Sequence, residues 1–222
     1  MTAATTKGYR GIGMEGTIAR WYDKSTRKDM ERFRALATRL RAELPQGGDV
    51  LEVAPGPGYF AIEMAKSGDN RVTGLDISRT MVELARKNAT EAGVEVDFRR
   101  GDASAMPFAD DSFDLLACSA AFKNFSEPHR ALEEMYRVLR PGGTALLIDL
   151  HKDVPMSEIR KYFSGLGLGM VERWMTVAAF RFMLLKRAYT RAEFEQMLTD
   201  IPFREKEIRI ADGVGLELRL RK

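Results

Sequence analysis

The chain is poor in the residues that build covalent staples and metal centres. It has one cysteine, two histidines and two tryptophans in 222 residues. A lone thiol, Cys118, excludes an internal disulfide and any metal site that needs several cysteines. It lies in an apolar run, where a buried and inert thiol is the expected state. His129 and His151 are too few for a histidine-rich zinc or iron site. No apolar run reaches the length of a membrane span. The opening residues, M-T-A-A-T-T-K-G-Y-R, hold no apolar signal-peptide core. No internal repeat or low-complexity segment is evident. From these absences we expect a soluble, cytoplasmic protein.

Apolar residues, by contrast, are plentiful. They make up 45% of the chain, enough for the core of one ordinary domain. The net charge of +3 conceals an uneven distribution. Residues 1–41 carry 10 Lys/Arg against 4 Asp/Glu, residues 42–150 carry 11 against 18, and residues 151–222 carry 14 against 10. The ends are basic and the middle is acidic. The basic residues alternate with acids and apolar residues at helical spacing, and no compact cluster appears, so no nucleic-acid partner is expected. Solvated helix faces explain the pattern best. An anionic substrate or peripheral contact with a membrane surface is the next explanation.

The most informative stretch is V-L-E-V-A-P-G-P-G-Y-F-A, Val50 to Ala61. An apolar strand enters a Pro/Gly turn and then a helical pattern. Gly56 and Gly58 allow the backbone to approach a ligand closely, because no Cβ intervenes. Glu52 is an acid inside an apolar strand and needs a partner there. Eighteen residues beyond Gly58, a second strand ends in Asp76. A carboxylate at such a strand tip commonly accepts the hydroxyls of a ribose. A nucleoside-containing cofactor across the carboxyl ends of a parallel sheet would use both features.

G-P-G-Y-F-A fits the dinucleotide fingerprint G-x-G-x-x-G/A, which is weak on its own. Later blocks decide between readings. Gly101 to Leu116 reads G-D-A-S-A-M-P-F-A-D-D-S-F-D-L-L, and Ala131 to Asp149 reads A-L-E-E-M-Y-R-V-L-R-P-G-G-T-A-L-L-I-D. Over Val50 to Leu150 the chain resembles the class I S-adenosylmethionine (SAM)-dependent methyltransferases. Within these, S-A-A-F-K-N-F, Ser119 to Phe125, followed by M-Y-R-V-L-R-P-G-G, is similar to the ubiquinone/menaquinone-biosynthesis C-methyltransferases. Lys123 stands where that group carries arginine.

Periodicity predicts one or two helices over Glu15–Leu44, with Met1–Ile12 mobile about Gly8, Gly11 and Gly13. Strands are predicted at Val50–Val53, Val72–Leu75, Val96–Arg99, Leu115–Cys118 and Thr144–Asp149. Helices are predicted at Tyr59–Lys66, Arg79–Ala92 capped by Ser78, and Glu127–Leu139 ended by Pro141-Gly-Gly. Residues 155–187 read as a helical insertion rich in methionine and aromatics, with Gly165, Gly167 and Gly169 as hinges. Thr190 and Glu193 form a capping box. Ile208–Ile210 and Leu216–Arg221 read as a closing hairpin. Strand–helix alternation predicts a doubly wound α/β fold. The resemblance implies a mostly parallel, seven-stranded Rossmann-like sheet with a helical lid. The chain then reads as a single domain: a helical cap over 1–44, a SAM-binding core over 45–150, a lid over 151–190, and a closing helix and hairpin over 191–222.

The resemblance also implies residue roles. Ala54, Gly56 and Gly58 pass beside the methionine part of SAM, and Glu52 fixes that loop or meets the cofactor through water. Asp76 binds the ribose, Ile77 and Met81 pack on adenine, and Asp102 and Ala103 read the adenine edge. Ser119 matches a cofactor contact, and Tyr22 closes over the methionine end. Met81 and Tyr22 have core packing as an equal alternative, and Glu52 a purely structural role. Two residues are candidate catalytic groups: His151 as a base beyond the fifth strand, and Lys123 to orient an acidic acceptor oxygen. His129 is expected in solvent.

The implied function is methyl transfer from SAM, leaving S-adenosylhomocysteine (SAH), to a small, mostly apolar acceptor. C- or O-methylation of an aromatic or quinone-like molecule leads. N-methylation of a small amine, and a non-catalytic SAM-binding sensor or partner subunit, are the alternatives. The oligomeric state is not legible.

Overall fold

The computed structural model describes residues 9–10, 13–164 and 169–222. The parts of Met1–Ile12 predicted to be mobile that fall at 1–8 and 11–12, and the hinges Gly165 and Gly167, lie outside the described residues.

Seven strands form one sheet: β1 (Asp49–Val53), β2 (Arg71–Asp76), β3 (Asp97–Arg100), β4 (Phe113–Ser119), β5 (Leu139–Leu150), β6 (Glu205–Ala211) and β7 (Gly215–Arg221). Their order is β3-β2-β1-β4-β5-β7-β6. The first five strands pair in parallel, and β7 runs antiparallel to both β5 and β6. This is the doubly wound, seven-stranded sheet the sequence implies. The strand order reverses at β1, so the carboxyl ends of β1, β2 and β4 frame the crevice where such sheets bind ligands.

Period-two alternation assigns each side chain to a face. Leu51 and Val53 of β1 join one core layer with Leu116, Cys118, Ala145 and Leu147. Val50, Leu115, Ala117 and Leu146 join the opposite layer. Helix α5 (Pro128–Val138) covers the first layer through Ala131, Leu132, Met135 and Val138. Helices α2 (Met30–Arg41), α3 (Tyr59–Ala65) and α4 (Arg79–Ala92) cover the second.

Local signals behave as expected at several ends. The Ser78 hydroxyl accepts the Met81 N–H at 3.0 Å and starts α4. Gly93, at φ 69°, ends it. Thr190 and Glu193 form the capping box of α8 (Arg191–Met197). Two boundaries differ. Helix α5 ends at Val138, and Leu139 is already extended and paired with Phe113. Pro141-Gly-Gly therefore lies within β5 instead of ending the helix, since a residue before proline favours extended backbone. Helix α1 (Gly16–Thr26) buries Ala19 and Asp23, while Ile18 and Trp21 face outward.

Gly58 has φ +81°, and a Cβ there would stand 2.6 Å from Phe98 and 3.0 Å from Ala85. Its glycine serves helix–strand packing as well as the turn. Gly58→Ala should destabilise the fold by about 2–4 kcal/mol, from left-handed strain plus overpacking. Urea unfolding checks this; an unchanged midpoint would show that Phe98 yields freely.

Candidate active site

The loop after β1 turns through three left-handed residues, Ala54 (φ 56°), Gly56 (φ 54°) and Gly58. The Ala54 N–H donates to the Leu75 carbonyl at 2.8 Å, tying the loop to β2. Asp76 closes the arrangement. Its Oδ2 accepts the Gly56 N–H at 3.0 Å and its Oδ1 accepts the Ser78 N–H at 2.8 Å. One buried carboxylate thus joins the turn after β1 to the start of α4. Burial pushes its pKa up to about 6, against the pull of those N–H groups. Each oxygen keeps acceptor capacity for a further donor.

Glu52, one turn of structure deeper, accepts the Ala61 N–H at 3.0 Å through Oε2. Burial pushes its pKa up to about 8, and the nearby Asp76 charge adds to the rise. At pH 7 it is a neutral group holding the first turn of α3. Its direct partner is the loop and helix start, one of the two roles expected for it.

Around this centre, the Tyr22 ring reaches within 3.8 Å of where a Gly56 Cβ would stand. Helix α1 is fixed there by a polar network. The Asp23 carboxylate accepts the Tyr59 hydroxyl at 2.6 Å and the Asn88 amide at 3.1 Å, and Asn88 also donates to the Pro57 carbonyl at 3.0 Å. Ile77 is half-buried and Met81 is buried. Beyond β3, Asp102 Oδ1 accepts both the N–H and the hydroxyl of Ser104 at 2.8 Å, and Ala103 is half-buried beside it. Ser119 is half-buried at the end of β4 and is followed by Ala120 at φ 57°.

The two candidate catalytic groups fare differently. The Lys123 ammonium is buried against Asp149 at 2.9 Å and also donates to the Ala120 carbonyl. Its backbone N–H meets the other Asp149 oxygen at 2.8 Å. An ammonium in a buried ion pair has no lone pair for a proton, and its charge is already neutralised. In the structure Lys123 pins the turn after β4 to β5. His151 lies just beyond β5, half-buried and bridged to Tyr189. It stands three residues past Ile148, the register partner of Ser119, which is roughly 10 Å along the strand. Lys123 bonds Asp149, two residues before His151, and His151 pairs with Tyr189, whose ring packs on Phe122. Cys118 is buried, and burial pushes its thiol pKa up, as an inert core residue requires. His129 is exposed near Glu133.

Sequence reasoning missed two stretches at the edge of the site, Tyr9-Arg10 and Met14-Glu15. Tyr9 pairs with Phe125, and Arg10 donates its N–H to the Asn124 carbonyl and its guanidinium to the Ser126 carbonyl. Farther on, the Met14 carbonyl accepts the Ser78 hydroxyl at 2.6 Å. The Glu15 carboxylate accepts the N–H groups of Arg79 and Thr80 at 2.9 and 3.0 Å. The chain is thus anchored at the turn after β4 and again at the helix after β2, on either side of the β1 loop. Burial raises the Tyr9 pKa, and its hydroxyl lies in the fields of Arg187, Asp76 and Tyr22. The signal was an aromatic and a cation, Tyr9-Arg10, in an otherwise small and polar start. Tyr189 was also missed; its ring packs on Phe122 and Phe194 at 5.8 and 5.4 Å, and its buried hydroxyl has no partner among the described residues.

Residues 51–147 match the family described as "Methyltransferase domain". Two curated relatives share this stretch. Demethylmenaquinone methyltransferase of Deinococcus radiodurans is 38% identical over 117 residues, 52% of this chain and 48% of that protein. The ubiquinone/menaquinone biosynthesis C-methyltransferase UbiE of Bdellovibrio bacteriovorus is 38% identical over 104 residues, 46% of this chain and 44% of that protein. The chain spans about half the length of the curated relatives it matches. A SAM-dependent methyltransferase structure from Aquifex aeolicus superposes with a TM-score of 0.64 at 19% identity, covering 86% of this chain and 97% of that one. Residues 51–147 are therefore similar to a methyltransferase domain, and the fold is that of the solved SAM-dependent methyltransferase. The resemblance read from the four sequence blocks holds.

The Glu52 proton gives a stability test. The folded state holds that proton more tightly than the unfolded chain, whose carboxyl titrates near 4.5. Its contribution to stability is full below that pH and is lost as pH rises through about 8. Glu52→Gln keeps a neutral acceptor for Ala61. Relative to the variant, the wild type should lose up to about 4 kcal/mol between mildly acidic and alkaline pH. Urea midpoints at both ends of that range decide it; parallel curves would place an ionised Glu52 in the fold.

Proposed function

We propose that the chain is a SAM-dependent methyltransferase acting on a small, mostly apolar organic acceptor, aromatic or quinone-like, by C- or O-methylation. The observation that carries the reading is Asp76: a buried carboxylate at the tip of β2, held by the Gly56 and Ser78 amides with acceptor capacity to spare. Such a group suits the two hydroxyls of a ribose, through charge-assisted bonds. Gly56 suits the methionine end, because only Tyr22 stands near its missing Cβ. The free Asp102 oxygen and the Ala103 N–H suit an adenine edge, with Ile77 packing on the ring. Ala54, Gly58 and Glu52 shape the loop, and Met81 supports it from the core. Ser119 and Tyr22 border the reacting end. The curated relatives' names supply the quinone-like acceptor class.

When bound, SAM supplies a methyl group on a sulfonium, which needs little activation. The chain's own contribution is then positioning. Helix α1 places Tyr22 beside the Gly56 turn, and Met14 and Glu15 anchor its start to Ser78, Arg79 and Thr80. The Lys123–Asp149 pair holds the turn after β4, and with it Ser119. His151 is the remaining candidate base for an acceptor that must lose a proton. No helix among the described residues is long and apolar enough to cross a membrane, and the cytoplasm is the proposed location.

Calorimetry should show binding of SAM and SAH. Asp76→Ala should weaken it by roughly 2–4 kcal/mol, since two hydrogen bonds to a charged acceptor are lost. Only the ionised carboxylate accepts both hydroxyls, so affinity should fall as pH drops through about 6. A chain that binds NAD and ignores SAM would overturn the reading. With a reduced demethylated naphthoquinone as acceptor, His151→Ala should lower turnover while leaving SAH affinity unchanged. Full turnover at every pH would leave positioning as the whole of the catalysis.

A further inference from the structure

The excursion between β5 and α8 leaves and rejoins the body at one place, where His151 pairs with Tyr189 beyond the carboxyl end of β5. It contains α6 (Met156–Ser164), α7 (Met170–Ala179) and a wider helical turn, Phe180–Leu184. Its inner faces are already satisfied. Ile159, Phe163, Val177, Phe180 and Leu185 form a small core with Val154, Ala188 and Val214. The outer face of α7 also carries large apolar side chains that stay exposed among the described residues. Trp174, Met175 and Phe182 are 73%, 60% and 74% exposed. At helical spacing they fall within an arc of roughly 100°, opposite Val177 and Phe180. A helix apolar on both sides calls for a second apolar partner.

The charges nearby say which partner. Residues 156–187 carry six Lys/Arg against two Asp/Glu. Arg160, Lys161, Lys186 and Arg187 are exposed, and no carboxylate among the described residues forms a salt bridge with them. A second copy of the chain meeting this face about a two-fold axis would bring the same cations together. An anionic surface would neutralise them. Tryptophan and phenylalanine beside lysine and arginine are the side chains that seat a helix in a lipid headgroup layer.

We propose that the outer face of α7, with Phe182 in the turn that follows, docks on an anionic lipid bilayer. The excursion that carries this face leaves the body beyond the carboxyl end of β5, the same edge of the sheet as the β1 loop. An apolar acceptor dissolved in the bilayer would reach the site without crossing water; this link to the acceptor rests on the methyltransferase reading, whereas the docking does not.

The test uses the full chain and no methyl donor. Co-sedimentation should show binding to vesicles of phosphatidylcholine and phosphatidylglycerol in equal parts. Binding to phosphatidylcholine alone should be weaker, as should binding to the mixed vesicles at high salt. In a Trp21→Phe background, Trp174 is the single tryptophan, and its emission should shift to the blue with the anionic vesicles. The double variant Trp174→Ser/Phe182→Ser should lose at least roughly tenfold in vesicle affinity, from the apolar area removed. Its urea midpoint and SAH affinity should stay unchanged. Arg160→Glu with Lys161→Glu should lose roughly tenfold or more through the charge alone. The proposal is overturned if the wild type ignores anionic vesicles, or if the double variant binds them as well as the wild type. It is also overturned if sedimentation velocity reveals a dimer that the double variant dissociates. Vesicle binding by a chain that ignores SAM would sustain the docking and remove the methyltransferase reading; SAM binding without vesicle binding would do the reverse.

Discussion

The carboxyl edge of this sheet depends on two buried acids accepting backbone N–H groups. Glu52 holds the first turn of α3, and Asp76 holds both the turn after β1 and the start of α4. Of the three left-handed residues in this turn only Ala54 is strained, since glycine adopts that region freely, but the turn leaves amides that need acceptors. Here the amides that the turn leaves exposed are the ones the two carboxyl groups require. Burial raises both pKa values, to about 8 and about 6, so the groups differ in charge near neutrality. The deeper acid is a neutral structural acceptor. The shallower one, Asp76, titrates closer to the ordinary carboxylate range.

The rest of the site is arranged around that pair. Arg140 bonds Asp49 and Asp114, and Arg71 bonds Asp49, so the opposite ends of β1, β2, β4 and β5 are clamped together. The sheet is thereby rigid at one edge and open to specialisation at the other. At the open edge, the N-terminal segment is held by Ser78, Arg79 and Thr80, residues of the same turn that Asp76 organises. Whatever moves Asp76 moves the anchor of the segment above it. The Lys123–Asp149 pair plays the matching role between β4 and β5. A buried pair of this kind is costly to break, because one unpaired charge would remain.

Much of this was legible along the chain, for reasons that differ by element. The strands β1, β2 and β4 show as short apolar runs because both of their faces are covered by helices. Helix α4 shows at both ends because Ser78 and Gly93 supply local caps that need no distant partner. Asp76 and the Gly56 loop show because strand, turn and helix follow one another within a few residues. Boundaries failed where distant contacts override local preference. Pro141-Gly-Gly reads as a helix stop, yet pairing of Leu139 with Phe113 draws it into β5. In α1, Trp21 faces solvent while Asp23 takes the buried place, because Tyr59 and Asn88 offer it hydrogen bonds.

The order of elements, the parallel sheet and the edge that carries the glycine turn after β1 were legible along the chain, because these rest on periodicity and on contacts between near neighbours. Which polar residues pair with one another followed from the three-dimensional arrangement alone. Lys123 and Asp149 are 26 positions apart, and Glu15 and Thr80 are 65 apart. No pattern within a single element links such pairs; they meet because the strand order places the turns after β2, β1 and β4 side by side. The outward apolar face of α7 is a tertiary result for the same reason. Its pattern alone cannot distinguish the side that Val177 and Phe180 bury from the side that Trp174 and Phe182 leave in solvent.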